Sequence, residues 1–236
     1  MFYTPRGQAA RCRYRTDTSD WNTLYSALNE DEYGLRPLTL TGLALDIGAH
    51  IGAVTLGLAL DNPDLRVIAV EPVPDNARLL RENVVLNGLK DRVTVIEGAA
   101  GRGEVTVWYG YRGSETAEHH AFIGNSSLAY DHGGENEHDE ISYWGWTLSA
   151  LLDLGVDFAY IAPDAASLAL VKIDNEGGEY DFLADPAVSR CERIVGEWHN
   201  VRGHVQTDIA SLLGATHVVT FSGPVGGPGG FLAVRR

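Results

Sequence analysis

The chain has 236 residues, a formal charge of −14 and only two cysteines, and these three facts exclude several classes. Its length suits one α/β domain with a sizeable core, and no apolar run reaches the roughly 20 residues of a membrane helix. The acidic balance opposes nucleic acid as a partner, because phosphate backbones attract clustered Lys and Arg, and Cys12 and Cys191 are too few for a disulfide framework or a cysteine-based zinc site.

The opening stretch MFYTPRGQAARCRYR lacks the apolar core of a secretory signal, so a cytoplasmic location is expected. Its cluster Arg6, Arg11, Arg13 and Arg15 reads as solvated or paired surface. Residues 1–40 are mixed and dotted with aromatics, with a helix predicted from Ser19 to Leu28, and read as an extension packing on or over a ligand site. From Leu43 onward short apolar runs alternate with helical patterns, the mark of βαβ units around a parallel sheet. LALDIG (43–48) predicts a buried strand, 52–61 a helix, RVIAVEP (66–72) a second strand, and Pro74 to Asn87 a helix stopped by Gly88. VTVIEGAA (93–100) is the third strand, and EVTVWYG (104–110) is expected to add a strand to the same sheet region. Residues 111–142 read as an inserted loop region with an acidic tract from Asp131 to Glu140, and loops of that length are usually functional or mobile. Its His119, His120, His132 and His138 match no compact metal spacing and read as solvated surface. A helix follows over 147–155, then the fourth strand and its exit loop over 168–178, a fifth strand over 193–198 and a helix over 206–213. THVVTF (216–221) and GFLAVRR (230–236) form a closing antiparallel hairpin. One domain over 1–236 is expected; oligomeric state is not readable, and a homo-oligomer is compatible with the chain.

The strongest local signal is Asp46-Ile47-Gly48-Ala49-His50-Ile51-Gly52. A strand running into two glycines and then a helix makes a tight turn where a ligand can approach the backbone and the helix N-terminus offers free N–H groups. A dinucleotide loop, G-x-G-x-x-G, would place its second glycine where His50 stands. The observed D-x-G-x-x-x-G suits a ligand with an amino acid end and no phosphates, such as S-adenosylmethionine, with Asp46 holding the ammonium group directly or through water. Glu71, at the end of the second strand and followed by Pro72, is placed to accept both ribose hydroxyls. Glu97, Gly98 and Ala99 end the third strand with small residues that leave room for adenine.

On these residues the chain resembles the FkbM-type methyltransferase family. The likeness rests on LALDIGAHIG (43–52), AVEPVPDNARLLRENVVLNGL (69–89), NSSL (125–128), VKIDNEGGEYDFL (171–183) and VGEWH (195–199), together with RTDTSD (15–20), DEYG (31–34) and GFLAVR (230–235). It implies a class I methyltransferase Rossmann-like fold: a mostly parallel seven-stranded sheet, a terminal antiparallel hairpin and helices on both faces. It also implies O-methylation of a hydroxyl on a small molecule such as a natural product or sugar. The family's usual K-I-D-V-E-G-A-E reads here Lys172-Ile173-Asp174-Asn175-Glu176-Gly177-Gly178-Glu179, and the helix near 147 lacks the acid common after its Leu.

Methyl transfer needs an oxygen placed behind the methyl carbon and its proton removed. His199 is the first choice of base, because an imidazole titrates near neutrality, and Asp174 is the rival or the group that orients the hydroxyl. Lys172 and Asp174 share a strand face by the period of two, whereas Asn175 is expected to face away. Lys172 and Glu197 complete the catalytic set, although Glu176 and Glu197 also read as caps of backbone N–H groups. Substrate contacts are expected from Asn125, Ser126, Asn175 and Glu176, and Asp174 also from the cofactor side. No resident metal is expected, with a divalent ion on Asp174, Glu197 and His199 as the alternative. Asp174-Asn175-Glu176-Gly177 lacks the prolines of an amine-methylating (D/N)-P-P-(Y/F) slot, which further demotes nucleic acid. The competing readings are methylation of a peptide or protein side chain, and a non-catalytic module that keeps the cofactor fold.

Overall fold

The computed structural model describes residues 1–16, 18–109, 122–123, 139–157, 168–200, 203–223 and 229–236. Two short strands, β1 (Phe2–Tyr3) and β2 (Ala9–Ala10), pair antiparallel and lead into α1 (Asp20–Leu24), which runs on as a π-helical turn over Tyr25–Glu30. Then β3 (Gly42–Ile47), α2 (Ala53–Asp61), β4 (Leu65–Glu71), α3 (Pro74–Leu86) and β5 (Val93–Glu97) alternate. Three strands follow, β6 (Glu104–Tyr109), β7 (Phe122–Ile123) and β8 (Asp139–Trp144). The second half holds α4 (Leu148–Asp157), β9 (Leu170–Ile173), α5 (Glu179–Leu183), a 3-10 turn at Pro186–Arg190 and β10 (Arg193–Trp198). It ends with α6 (Gln206–Leu213), β11 (His217–Phe221) and β12 (Gly229–Arg235).

The main sheet has seven strands in the order β5-β4-β3-β9-β10-β12-β11. Its first five are mutually parallel, and β12 runs antiparallel to both of its neighbours, as expected for the hairpin. Successive strand residues point to opposite faces, and here both faces are covered. Ala44, Val67 and Ala69 pack with α2, α3 and Leu24 and Leu28 of the N-terminal helix. Leu43, Leu45, Ile68 and Val171 pack on the other face with α4, α5 and α6. That double coverage is why the strands read as unbroken apolar runs. Chain order reverses between β3 and β9, and ligands of such sheets bind outside the carboxyl ends at this switch point.

Two expectations need correction. EVTVWYG does not extend the main sheet, because β6 instead centres a separate three-stranded antiparallel sheet in the order β7-β6-β8. Val105 and Val107 there join Ala99, Ile141 and Tyr143 in a small core of their own. The region 111–142 is therefore not loop throughout, since β7 and the start of β8 fall within it. Residues 179–192, for which the sequence pattern predicted no element, hold α5 and the 3-10 turn in the crossover from β9 to β10, where Tyr180, Phe182 and Leu183 enter the core. Asn125, Ser126 and the four histidines at 119, 120, 132 and 138 lie outside the described residues. Among the described residues no helix is long and apolar enough to cross a membrane.

Candidate active site

A cavity of about 320 Å³ opens at the switch point. Of the residues expected to hold a cofactor, Gly48, Ala49, His50, Glu71, Pro72, Gly98 and Asp174 line it, and Asp46, Gly52, Glu97 and Ala99 do not. Lys172, Asn175 and Glu176 complete that wall. The opposite wall comes from the N-terminal segment through Ser19, Asn22, Thr23, Glu32 and Tyr33.

Asp46 is fully buried, accepting a hydrogen bond from Thr55 Oγ1 at 2.5 Å and lying 3.5 Å from Lys172 Nζ. Lys172 in turn donates to the carbonyl oxygens of Gly48 at 2.8 Å and Ile47 at 3.3 Å. Burial would lower its pKa, but Asp46 and Asp174 outweigh burial and raise it, so the ammonium stays charged. Asp46 thus holds the glycine turn through a buried lysine, and it makes no wall of the cavity. The glycines have an equally local reason. A Cβ on Gly48, at φ +73°, would lie 1.7 Å from the Asp174 carbonyl oxygen, and one on Gly52, at φ +98°, would lie 2.4 Å from Leu80. The missing side chains make room for the β9 exit and for α3. His50 keeps a left-handed φ of 51° without being glycine.

Glu71 is buried and already accepts three hydrogen bonds. Oε2 takes His50 N at 2.8 Å, and Oε1 takes Val73 N at 3.0 Å and Asn76 Nδ2 at 3.1 Å. Burial outweighs these bonds and raises its pKa. A carboxylate has about four acceptor positions, so about one remains, on Oε2. Asn76 accepts from Arg15 Nη2 at 2.6 Å, and Arg15 also binds Asp20, so the N-terminal segment is wired to this carboxylate. Glu97 is instead a surface partner of Arg81 at 2.9 Å.

Asn175 was expected to face away, but β9 ends at Ile173, so the strand alternation no longer applies. The side chain is buried against the cavity, with Nδ2 3.5 Å from Ala100 O and Oδ1 without a hydrogen-bond partner among the described residues. A Cβ on Gly178 would lie 2.5 Å from Asn175 Nδ2. Gly178 therefore leaves room for the amide that Asn175 brings.

A second cavity of about 350 Å³ lies beside the first, walled by Glu197, Phe221 and Phe231 among others, and Glu32 and Tyr33 line both. Tyr33 donates to Asp174 Oδ2 at 3.1 Å, and Asp174 Oδ1 is buried without a partner among the described residues. Burial, then the neighbouring Glu197, raises Glu32 to about 7; burial, then Asp174, raises Glu197 to about 7. His199 Nδ1 lies 2.9 Å from Glu179 Oε1, while Nε2 lies 3.3 Å from Glu176 Oε2 and 4.0 Å from Glu197 Oε2. Burial would lower the imidazole pKa, but the Glu179 hydrogen bond and the charges of Glu179, Glu176 and Asp174 raise it to about 9. With the pKa near 9 the ring is largely protonated at neutral pH, and an imidazolium has no lone pair to offer as a base. Glu179 caps Gly177 N at 3.1 Å.

Sequence reasoning did not single out Glu32, Tyr33, Asn76 or Glu179. Glu32 and Tyr33 sit in DEYG (31–34), Asn76 in 69–89 and Glu179 in 171–183, all stretches that carried the family likeness, and that likeness was the available signal.

The aligned stretches with curated proteins are short. The chain is 41% identical over 56 residues to ribosomal RNA small subunit methyltransferase G of Frankia casuarinae, covering 24% of this chain and 21% of that protein. It is 37% identical over 57 residues to O-methyltransferase imqG of Aspergillus flavus, covering 24% and 23%. These matches span less than a quarter of each relative. Precorrin-6y C5,15-methyltransferase from Geobacter metallireducens superposes over 99% of this chain and 100% of its own, with 13% identity and a TM-score of 0.52, a likeness of fold. The Methyltransferase FkbM domain matches residues 46–215, which takes in the glycine turn, Glu71, Asp174 and His199. The chain therefore belongs to the FkbM methyltransferase family, whose methyl donor is S-adenosylmethionine.

Proposed function

We propose that this chain transfers the methyl group of S-adenosylmethionine to a hydroxyl of a small molecule, with the donor in the switch-point cavity and the acceptor in the cavity beside it. The observation that carries this reading is the meeting of the two cavities at Glu32 and Tyr33, with Asp174 on one side and Glu197 on the other. The first cavity fits the donor. Glu71 Oε2 retains an acceptor position for a ribose hydroxyl, Gly98 and Ala100 leave flat space for adenine, and the orphaned Asn175 Oδ1 gains a ligand donor. S-adenosylmethionine bound there supplies a methyl carbon made electrophilic by its sulfonium.

This chain's residues must then place and deprotonate the oxygen. Asp174 Oδ1 accepts the hydrogen bond of the acceptor hydroxyl, while Tyr33 on Oδ2 keeps the carboxylate turned toward it. Glu197 takes the proton, since a carboxyl near 7 is partly ionised at neutral pH and matched to that task. His199 remains a cation that holds Glu176 and Glu179 in place.

The resemblance to ribosomal RNA methyltransferases supplies a second reading, methylation of RNA. Against it stand the charge of −14 and the acidic mouth formed by Glu32, Glu176 and Glu197, which repel phosphate. Calorimetry with S-adenosylhomocysteine, followed by transfer of labelled methyl to a panel of hydroxyl compounds and to ribosomal RNA, tests both. The reading holds if the product binds and label enters a small molecule; absence of product binding, or label in RNA alone, overturns it.

A further inference from the structure

We propose that Asp174, Glu197 and His199 form a site for one divalent transition-metal ion at the junction of the two cavities. This revises the expectation of no resident metal. It keeps the donor and acceptor cavities of the reading above but replaces its proton route, since with the ion bound Asp174, Glu197 and a neutral His199 are ligands; it rests on that reading for the ion's role, though not for the site.

The backbone places the three donors. Parallel pairing sets Ile173 against Gly196, so Asp174, just past the end of β9, and Glu197, next to last in β10, follow side by side. The strands approach so closely that a Cβ on Gly196 would lie 2.0 Å from Ile173 O. His199 follows two residues after Glu197. One donor atom from each of the three lies within 4.8 Å of the other two. Donors on a six-coordinate ion at about 2.1–2.2 Å sit roughly 3 Å apart when adjacent and 4.3 Å when opposite. Small rotamer adjustments therefore close the set.

Two further observations separate this cluster from an ordinary group of surface acids. Glu179 is fully buried and holds His199 Nδ1 at 2.9 Å, which leaves Nε2 directed at the carboxylates. A carboxylate behind a histidine, fixing its tautomer and orientation, is the usual support of a metal ligand. Asp174 Oδ1 is also a buried oxygen with no donor among the described residues, and a cation satisfies it. The imidazole suits a first-row transition ion such as zinc, and the two carboxylates also suit manganese. The ion takes the place of the proton that Nε2 would otherwise direct at Glu176.

Placed there, the ion has open positions toward both cavities and can hold the acceptor oxygen. The ion would lower the pKa of a hydroxyl bound to it, and the proton would pass to solvent water. The oxygen lone pair then forms the O–CH₃ bond as the S–CH₃ bond breaks and its electron pair returns to sulfur. With the ion bound, no side-chain base is required, and Glu197 serves as a ligand.

The test is calorimetric titration of chelator-treated protein with Mn²⁺, in the presence and absence of S-adenosylhomocysteine, on the wild type and on Glu197→Gln, His199→Gln and Glu179→Gln. One saturable Mn²⁺ per chain is expected. Loss of a ligand in the first two variants should abolish binding, and loss of the support in Glu179→Gln should weaken it about 10- to 100-fold. Retained S-adenosylhomocysteine binding in Glu197→Gln shows that this variant is folded. The proposal is overturned if the wild type takes up no Mn²⁺, or if Glu197→Gln, folded by that criterion, binds it as the wild type does. Mn²⁺ uptake without S-adenosylhomocysteine binding leaves the metal site standing and removes the donor reading; the reverse result removes only the metal.

Discussion

Tyr33 donates its phenolic hydrogen to Asp174 Oδ2 at 3.1 Å, across 141 positions of sequence. The contact joins the N-terminal segment to the end of β9 at the boundary of both cavities. Hydrogen bonds to charged groups are worth about 1.5–3 kcal/mol, so Tyr33→Phe should lower kcat about tenfold or more through a misdirected carboxylate. Affinity for S-adenosylhomocysteine should change by less than about threefold, since the hydroxyl that is removed serves Asp174 Oδ2 and the ring that walls the cavity is kept. Steady-state kinetics and calorimetry on the variant check the split; an equal loss in both would show that Tyr33 serves donor binding.

Glu71 is held by three protein donors and keeps about one acceptor position for a ligand. Glu71→Gln replaces one acceptor oxygen with an NH₂ that faces N–H groups. Donor affinity should fall about 100-fold or more, and the melting temperature should drop as well, because buried donors lose their partner. Unchanged product affinity in calorimetry would remove Glu71 from the site.

Gly178 and Asn175 should behave as a coupled pair. Gly178→Ala pushes a methyl to 2.5 Å from the Asn175 amide and should destabilise the fold by about 1–3 kcal/mol. Asn175→Val removes the amide and should restore most of that loss in the double variant. Denaturant unfolding of the four proteins in a double-mutant cycle measures the coupling. Additive losses would mean that the two residues do not share this space.

Asp20 predicts an acid limit on the N-terminal segment. Burial alone would raise its pKa, but hydrogen bonds from the Arg15 side chain and backbone, and then the His50 charge, lower it below its ordinary 3.8. Its folded value lies below its unfolded value, so its stabilising effect is present above the ordinary value and is lost as pH falls through the folded one. Melting temperatures recorded down to about pH 3 should fall more steeply for the wild type than for Asp20→Asn. Asp20→Asn should also melt lower at neutral pH. Parallel curves would count against this role.

The parallel strands were legible because burial on both faces leaves an apolar run that nothing interrupts, as in β3 and β4. The glycine turn was legible as a turn, but its reason lies in backbone from β9 and a side chain from α3, which no local pattern announces. Asp46 read as a ligand contact because its place at a strand end says nothing of the buried Lys172 beneath it. His199 read as a base from its residue type alone; the carboxylates that reverse this come from positions 174, 176 and 179, brought near by the crossover through α5. Glu32 and Tyr33 follow no periodic pattern and reach the site only through packing of the N-terminal segment.

The shared wall of Glu32 and Tyr33 has a kinetic consequence. In the proposed placement one stretch of chain encloses the donor and also shapes the acceptor's chamber, so any opening that exchanges the first ligand dismantles the berth of the second. Turnover should then proceed in compulsory order, the nucleoside entering before the alcohol and departing after the ether.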